Sequence, residues 1–497
     1  MEKTDRKPIV ILIILLLAGI LRLLFASARG IWYDDAFSIL LSEQGLGNII
    51  RGTAADTMPP FYYFLLHFWM LLSPGILFIR LLNILLSLVV VCLVYRMGVE
   101  IAGQSAGWIA AGLTAVAPLQ IYHAQEVRMY VLLELFLVVY AWMCLRLFSQ
   151  PQKQTWSWGM LVLAGAGAFY SHNLAIFTLA VPDLILLVQR KWRLLLQLVA
   201  AQFIMLVLFL PWLFFVPGQI EKIQTAFWTP RPGLVEIVQS VGNLYGYLPQ
   251  PVIVTALILI LAVQALGLLG LQLWRNRSAE MALPLLGWIV LPPLLLFAAS
   301  YLMRPVYVPR AFIASGIFVY LLAGFLSARI LAAVPRRNIF QALVVPILFA
   351  LSAVVSLPGM YSFDTFPRSP FRQAAETLVG QCDPADCMVV HDNKLSYFPM
   401  AIYQPHLSQA YLPDEPGTHN DTLAKASQVA IGRLASETAL AAADNRREVY
   451  LVIFERAIGE YQALGLETAP SLGVLKTAYT LLGQSTMGDL VIYHFGK

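Results

Sequence analysis

Runs of close to twenty apolar residues recur along this chain as far as Leu357 and then stop. No other feature narrows the possible folds so far. About eleven of the runs are long enough to span hydrocarbon, which takes roughly 17–25 residues per helix. They are Ile9–Phe25, Leu77–Tyr95, Ala106–Ile121, Met129–Phe148, Trp158–Phe169, Leu174–Val188, Leu194–Val216, Val252–Trp274, Leu283–Leu302, Ala311–Ala328 and Ile339–Leu357. Only 12% of the residues are charged and 59% are hydrophobic, whereas a soluble protein carries about a quarter charged residues. The chain reads as a polytopic α-helical membrane protein. The net charge of +5 does not point to nucleic acid, because the basic residues sit in short loops where they orient spans.

Lys3, Arg6 and Lys7 precede the first run, and Ala26-Ser27-Ala28 follows it. That order resembles a signal peptide, but the expectation is a retained first span. A further apolar run, Phe61–Leu72, is too short to cross and follows Pro59-Pro60. It reads as an interfacial or re-entrant helix on the outer side. With it kept out of the count, Arg96, Lys153, Arg190, Lys191, Arg193, Arg275, Arg277, Arg329, Arg336 and Arg337 all fall on the inner side. That satisfies the positive-inside rule. The N-terminus is then cytoplasmic, and the protein is expected in the cell (inner) membrane.

The last stretch has a soluble composition. Phe371–Leu378 and Asp421–Ala442 read as helices, and Met388–His391, Val449–Phe454 and Leu490–Phe495 as buried strands. The expected organisation is a membrane domain over 1–357 and a small extracytoplasmic α/β domain over 358–497. Cys382 and Cys387 flank Asp383-Pro384-Ala385-Asp386. They form a small disulfide loop in an oxidising compartment or stand as free thiols. Two cysteines with no paired histidine motif do not make a zinc site.

The residues that carry chemistry gather in the outer loops. Trp32-Tyr33-Asp34-Asp35 follows the first span. Carboxylates are expensive beside hydrocarbon and rarely stay there without a role. One of the pair can remove a proton from an acceptor hydroxyl while the other orients it or binds a cation. The bland alternative is a helix N-cap. Trp32 and Tyr33 read as interfacial anchors. His123-Ala124-Gln125-Glu126-Val127-Arg128-Met129-Tyr130 packs an acid, a base and two hydrogen-bonding side chains into one turn. Arg128 suits phosphate through its planar fork, and Tyr130 can donate to the same oxygens. A local Glu126–Arg128 pair is the plainer reading. His172, in Tyr170-Ser171-His172-Asn173, is a turn residue or a ligand. Arg304-Pro305-Val306-Tyr307-Val308-Pro309-Arg310 sets two guanidinium groups on a proline-stiffened turn. It suits a phosphate leaving group, with snorkelling toward lipid as the alternative. Trp228-Thr229-Pro230-Arg231-Pro232 reads as a lid or an anchor.

Asp34-Asp35, Pro59-Pro60-Phe61-Tyr62-Tyr63, Gln125-Glu126-Val127-Arg128-Met129-Tyr130 and Arg304 to Arg310, in that order, resemble the GT-C glycosyltransferases. The resemblance is to the protein O-mannosyltransferase and aminoarabinose-transferase type (glycosyltransferase family 39-like) and covers about the first 330 residues. It implies a GT-C fold and transfer of a hexose or pentose from a polyprenyl-phosphate donor to an extracytoplasmic acceptor, whether protein, lipid or polysaccharide. It implies Asp34 as catalytic base, with Asp35 where the family usually carries Glu. Arg128, Tyr130, Arg304 and Arg310 are then donor-phosphate ligands, and Gln125, Glu126, His172, Tyr62 and Tyr63 substrate contacts. A divalent cation, magnesium or manganese, is an open expectation, with Asp35, Glu126 and His172 as candidate ligands. The rival classes are a lipid-linked glycan flippase or transporter, which Glu134 inside a span favours, and a glycan polymerase or ligase. The charge pattern makes a direct prediction. A reporter enzyme active only outside the cytoplasm should work when fused after Lys497 and fail when fused at Arg190; the opposite pattern overturns the orientation.

Overall fold

A computed structural model of the protein describes residues 7–149, 155–225, 229–245, 279–333, 339–363, 368–414, 422–463 and 465–497. Two compact units emerge from its internal contacts. One is built from Met1–Ser27, Thr57–Gln224 and Thr229–Ser362; the other is built mainly from Ala28–Asp56 and Phe363–Lys497.

The first unit is helical. Among the described residues, five helices are long and apolar enough to cross a membrane: Ile76–Ala102, Tyr130–Ser149, Trp192–Leu213, Ala282–Leu302 and Pro309–Ala332. The predicted first run is the Lys7–Leu23 helix, and the last is Ile339–Ser362. Trp158–Phe169 lies within Thr155–Ser171. The expected span Val252–Trp274 lies outside the described residues. Two runs differ from expectation. Ala106–Ile121 is broken into Gln104–Val116 and Pro118–Ala124, because Ala117 is extended ahead of Pro118. A proline disfavours helical geometry in the residue before it. Leu174–Val188 is likewise three short pieces, Asn173–Ala175, Ile176–Leu179 and Val181–Val188. Phe61–Met70 has ten residues, about 15 Å of helix, too short to span.

Small residues let the spans approach. A Cβ on Gly98 would lie 2.8 Å from Gly107 Cα, and one on Gly324 would lie 2.6 Å from the Ala106 carbonyl. Backbone-to-backbone packing of this kind replaces the hydrophobic drive that lipid removes. The turn between the first two of these helices is made by Gly103 at φ +85°, a left-handed conformation that glycine adopts without strain.

The second unit is a five-stranded sheet: β1 Cys387–His391, β2 Gln409–Tyr411, β3 Glu448–Phe454, β4 Thr480–Met487 and β5 Leu490–Gly496. Its order is β2-β1-β3-β5-β4. β1 is parallel to β2 and β3, while β5 is antiparallel to β3 and β4. Alternate residues supply two cores. Val390, Val449 and Leu451 face one, with Leu472 and Leu475; Val389, Tyr450 and Val452 face the other, with Phe371 and Leu378. Period-two alternation sorts them. β2 and β4 were not predicted. β2 has three residues, and β4 is an edge strand of exposed polar composition. The helix expected over Asp421–Ala442 is two, Lys425–Ala430 and Ala439–Ala442, because Gly432 turns the chain at φ +67° and Thr438 caps a new start. Asp421 lies outside the described residues.

The loop after the first span folds with this unit. Its helices are Tyr33–Ser42 and Leu46–Ala55. Trp32 packs 5.7 Å from Phe371 and 6.4 Å from Phe454, and Tyr33 stacks on Phe398 at 5.4 Å. The Ile31 N–H donates to Tyr403 Oη at 2.7 Å, and Ser427 Oγ donates to the Gly52 carbonyl at 3.2 Å. Trp32 and Tyr33, both half-buried, thus pack against aromatic residues of the second unit. Large aromatic surfaces favour such burial. The second unit is therefore discontinuous in sequence.

Cys382 and Cys387 are disulfide-bonded, while Cys92 and Cys144 are free. A loop this short constrains the unfolded chain by about 2 kcal/mol. Alkylation of denatured, unreduced protein should modify Cys92 and Cys144, and Cys382 and Cys387 only after reduction. Labelling of all four without reductant overturns the assignment.

Candidate functional site

In the first unit, a polar group is assembled around the Tyr130 ring. The Arg310 guanidinium carbon lies 5.6 Å from the ring centroid, the His123 ring 5.2 Å and the His172 ring 6.0 Å. Arg128 Nη1 donates to Tyr63 Oη at 3.3 Å. Tyr62 packs edge-on to Tyr63 at 5.9 Å. Arg128, Glu126, His172, Tyr62, Tyr63 and Tyr130 are buried, and Arg310 is half-buried.

Local structure explains the grouping. Tyr130–Ser149 starts beside Arg128. The 3₁₀ turn Pro309–Phe312 carries Arg310 into Ile313–Ala333. His172 caps Asn173–Ala175, its Nδ1 accepting from Leu174 N at 3.1 Å. Three helix N-termini therefore carry members of the group. A helix N-terminus carries a partial positive charge, which favours anions. Two guanidinium groups add to that field.

The turn itself is held from within. Asn83 Nδ2 donates to the carbonyls of Glu126 and of Arg128, the latter at 2.8 Å. Gln125 Nε2 donates to the Arg22 carbonyl at 3.0 Å and the Leu24 carbonyl at 2.8 Å. The Gln125 side chain thus ties the end of the first helix to the turn. Glu126 Oε2 pairs with His123 Nδ1 at 2.8 Å, a local partner the sequence reading did not name. Burial, and then the charges of Arg128 and Arg310, push His172 down to about 3. It is neutral at physiological pH, and with Nδ1 accepting, its proton sits on Nε2.

Asn83 escaped the sequence reading. Its signal was available: with Arg80, it is a polar interruption of an apolar span. Arg304 is held elsewhere, its Nη1 donating to the Gln224 carbonyl at 3.1 Å and its backbone N to Gln224 Oε1 at 3.2 Å. Thr229 Oγ1 donates to the Pro305 carbonyl, and Tyr301 Oη to the Pro232 carbonyl at 2.7 Å. The 229–232 stretch is thereby fastened to the arginine turn; Trp228 lies outside the described residues.

Asp34 and Asp35 belong to the second unit, in the first turn of Tyr33–Ser42. The N-cap is Trp32, so neither acid is the cap. Both benefit from the helix dipole there. Asp35 is buried and Asp34 half-buried. Tyr33 Oη is raised well above its usual range by burial and then by the charges of Asp56, Asp34 and Asp414. Lys394 Nζ lies 5.8 Å from the Tyr33 ring centroid and pairs with Asp414. The carboxylates thus stand in an acidic neighbourhood with one buried lysine near it.

Among the described residues, no three His, Cys, Asp or Glu gather as a metal site. Within the first unit, Glu126 Oε2 is engaged by His123 and His172 Nδ1 accepts from Leu174 N.

The family model for dolichyl-phosphate-mannose-protein mannosyltransferase matches residues 57–215. No curated protein sequence matches the chain. Among solved structures, apo ArnT from Cupriavidus metallidurans is similar with a TM-score of 0.63 at 15% identity, over 97% of each chain. The same protein bound to undecaprenyl phosphate gives 0.62 at 14%, again over 97% of each. The apo oligosaccharyltransferase of Archaeoglobus fulgidus gives 0.52 at 12%, over 99% of this chain and 74% of that one. At such identities the likeness is one of fold, and the chain has the GT-C fold, that of a multi-pass membrane protein.

Asn83→Leu removes the donor shared by two buried carbonyls. It should destabilise the protein by about 1–3 kcal/mol and loosen the Arg128 turn, read as a lower melting temperature in detergent. An unchanged melting temperature would show that the two bonds are dispensable.

Proposed function

We propose that this GT-C protein transfers a sugar from a polyprenyl-phosphate carrier to an acceptor nucleophile outside the cytoplasm, by inverting displacement. The observation that carries the reading is the buried group around Tyr130, with Arg128, Arg310 and three helix N-termini in one small polar neighbourhood of an apolar bundle. Such a group suits an anion delivered from the bilayer, and a lipid-linked phosphate is that kind of anion. The match over 57–215 and the similarity to a protein solved with undecaprenyl phosphate support the choice.

The chemistry follows from charge. As the glycosidic bond breaks, the lipid phosphate gains negative charge. Arg128, Arg310 and the Tyr130 hydroxyl stabilise that charge more in the transition state than in the bound donor. Tyr63 holds the Arg128 fork, and the neutral His172 adds a donor without adding charge. Asp34 takes the proton from the acceptor hydroxyl or amine, and the buried Asp35 orients it. Attack opposite the leaving phosphate inverts the anomeric centre. Tyr62, Gln125 and Glu126 keep the surrounding turn in shape.

The test uses purified protein in lipid with a polyprenyl-phosphate sugar, following release of free polyprenyl phosphate. Asp34→Asn should slow transfer roughly a hundredfold or more with little change in carrier binding. Arg128→Gln and Arg310→Gln should each weaken carrier binding by roughly tenfold. Undiminished turnover in Asp34→Asn refutes the base assignment, and flipping without release of carrier refutes transfer itself.

A further inference from the structure

The intramembrane acid Glu134 is the strongest sequence argument for a transporter, and the mechanism above does not use it. Glu134 is 0% exposed and Gln120 1%. Gln120 Nε2 donates to Glu134 Oε1 at 2.6 Å. The other oxygen of each group, Glu134 Oε2 and Gln120 Oε1, is buried and has no hydrogen-bond partner.

Drawn as an ion, this pair is doubly unfavourable. Both remaining oxygens are acceptors, and neither has a donor. Buried polar atoms in native proteins are almost always satisfied, and a lone carboxylate among apolar helices is costly. Arg22 is the charged neighbour, close enough to act through space, yet its guanidinium is engaged elsewhere. Nε donates to Ser87 Oγ at 2.8 Å, Nη1 to the Ala18 carbonyl at 3.2 Å and the Ala115 carbonyl at 2.9 Å, and Nη2 to the Thr114 carbonyl at 3.1 Å. It gives no hydrogen bond to Glu134.

A single proton mends both orphans. We infer that Glu134 is held as a neutral carboxylic acid, closed into a two-bond ring with the Gln120 amide. The acid O–H donates to Gln120 Oε1 while Gln120 Nε2 donates to Glu134 Oε1. The location gives the ring a use. Gln120 lies on Pro118–Ala124, three residues before His123. Glu134 lies four residues after Tyr130, on the same face of its helix. The ring clamps together the two helices that flank the turn bearing Arg128. Glu134 and Gln120 are therefore positioning residues for the phosphate-binding group. The functional half of this inference rests on the proposed transfer reaction; the chemical half does not.

Infrared difference spectra of wild type against Glu134→Gln, in lipid at neutral pH, decide the chemical half. A protonated-carboxyl C=O band lost in the variant, and shifted in heavy water, is expected. Loss of carboxylate bands instead overturns the inference. Gln at position 134 preserves the ring as an amide pair, so Glu134→Gln should leave transfer, its pH profile and donor KM within about twofold. Glu134→Leu and Gln120→Leu each orphan a buried partner and should raise donor KM about tenfold, while the double Leu variant regains the wild-type melting temperature. Loss of transfer in Glu134→Gln with carrier binding intact would show that an ionisable group is required, which overturns the positioning role. If wild-type protein transfers no sugar, the functional reading fails, and the infrared result still stands or falls alone.

Discussion

A polar turn can sit among membrane helices only when the protein supplies its hydrogen bonds, because hydrocarbon supplies none. The stretch from Gln125 to Arg128 meets that condition through two amide side chains. Asn83 satisfies two of its carbonyls, and Gln125 reaches back to the end of the first helix. Arg22 serves the carbonyls at the end of Gln104–Val116 in the same way. The grouping of Arg128 with Tyr63 and the Tyr130 ring starts from that restrained turn.

Much of this was legible in sequence, and the reasons are physical. Hydrocarbon thickness fixes the length of an apolar run, so most predicted runs fall on helices, although Leu77–Tyr95 stops short of a helix that continues to Ala102. The polar group around Tyr130 was legible because arginines and histidines at span ends are conspicuous against apolar surroundings. Breaks inside a run were not: Ala117 before Pro118 and the pieces around Pro182 obey local backbone rules that an apolar count ignores. β4 was missed because its exposed edge carries no period-two apolar pattern. Asn83 was missed because one amide in a long span is invisible until its acceptors, more than forty residues away in sequence, are known.

Trp32 and Tyr33 teach a different lesson. Their aromaticity announced burial, but sequence alone could not name what buries them. A membrane surface and a folded domain make the same demand on a Trp-Tyr pair. Phe371, Phe398 and Phe454 lie hundreds of positions downstream, and no local pattern links the two segments. The acid pair that follows Trp32 and Tyr33 consequently belongs to a sheet-based unit built mostly from the far end of the chain.

That discontinuity has a consequence for biosynthesis. Ala28–Asp56 leaves the ribosome near the beginning, yet the strands and helices against which it folds are among the last to be made. The aspartates stay without a fixed scaffold throughout membrane insertion and are set in place only when the closing segment arrives. A truncated product would carry its full complement of early spans and still lack the strands and helices against which Ala28–Asp56 packs.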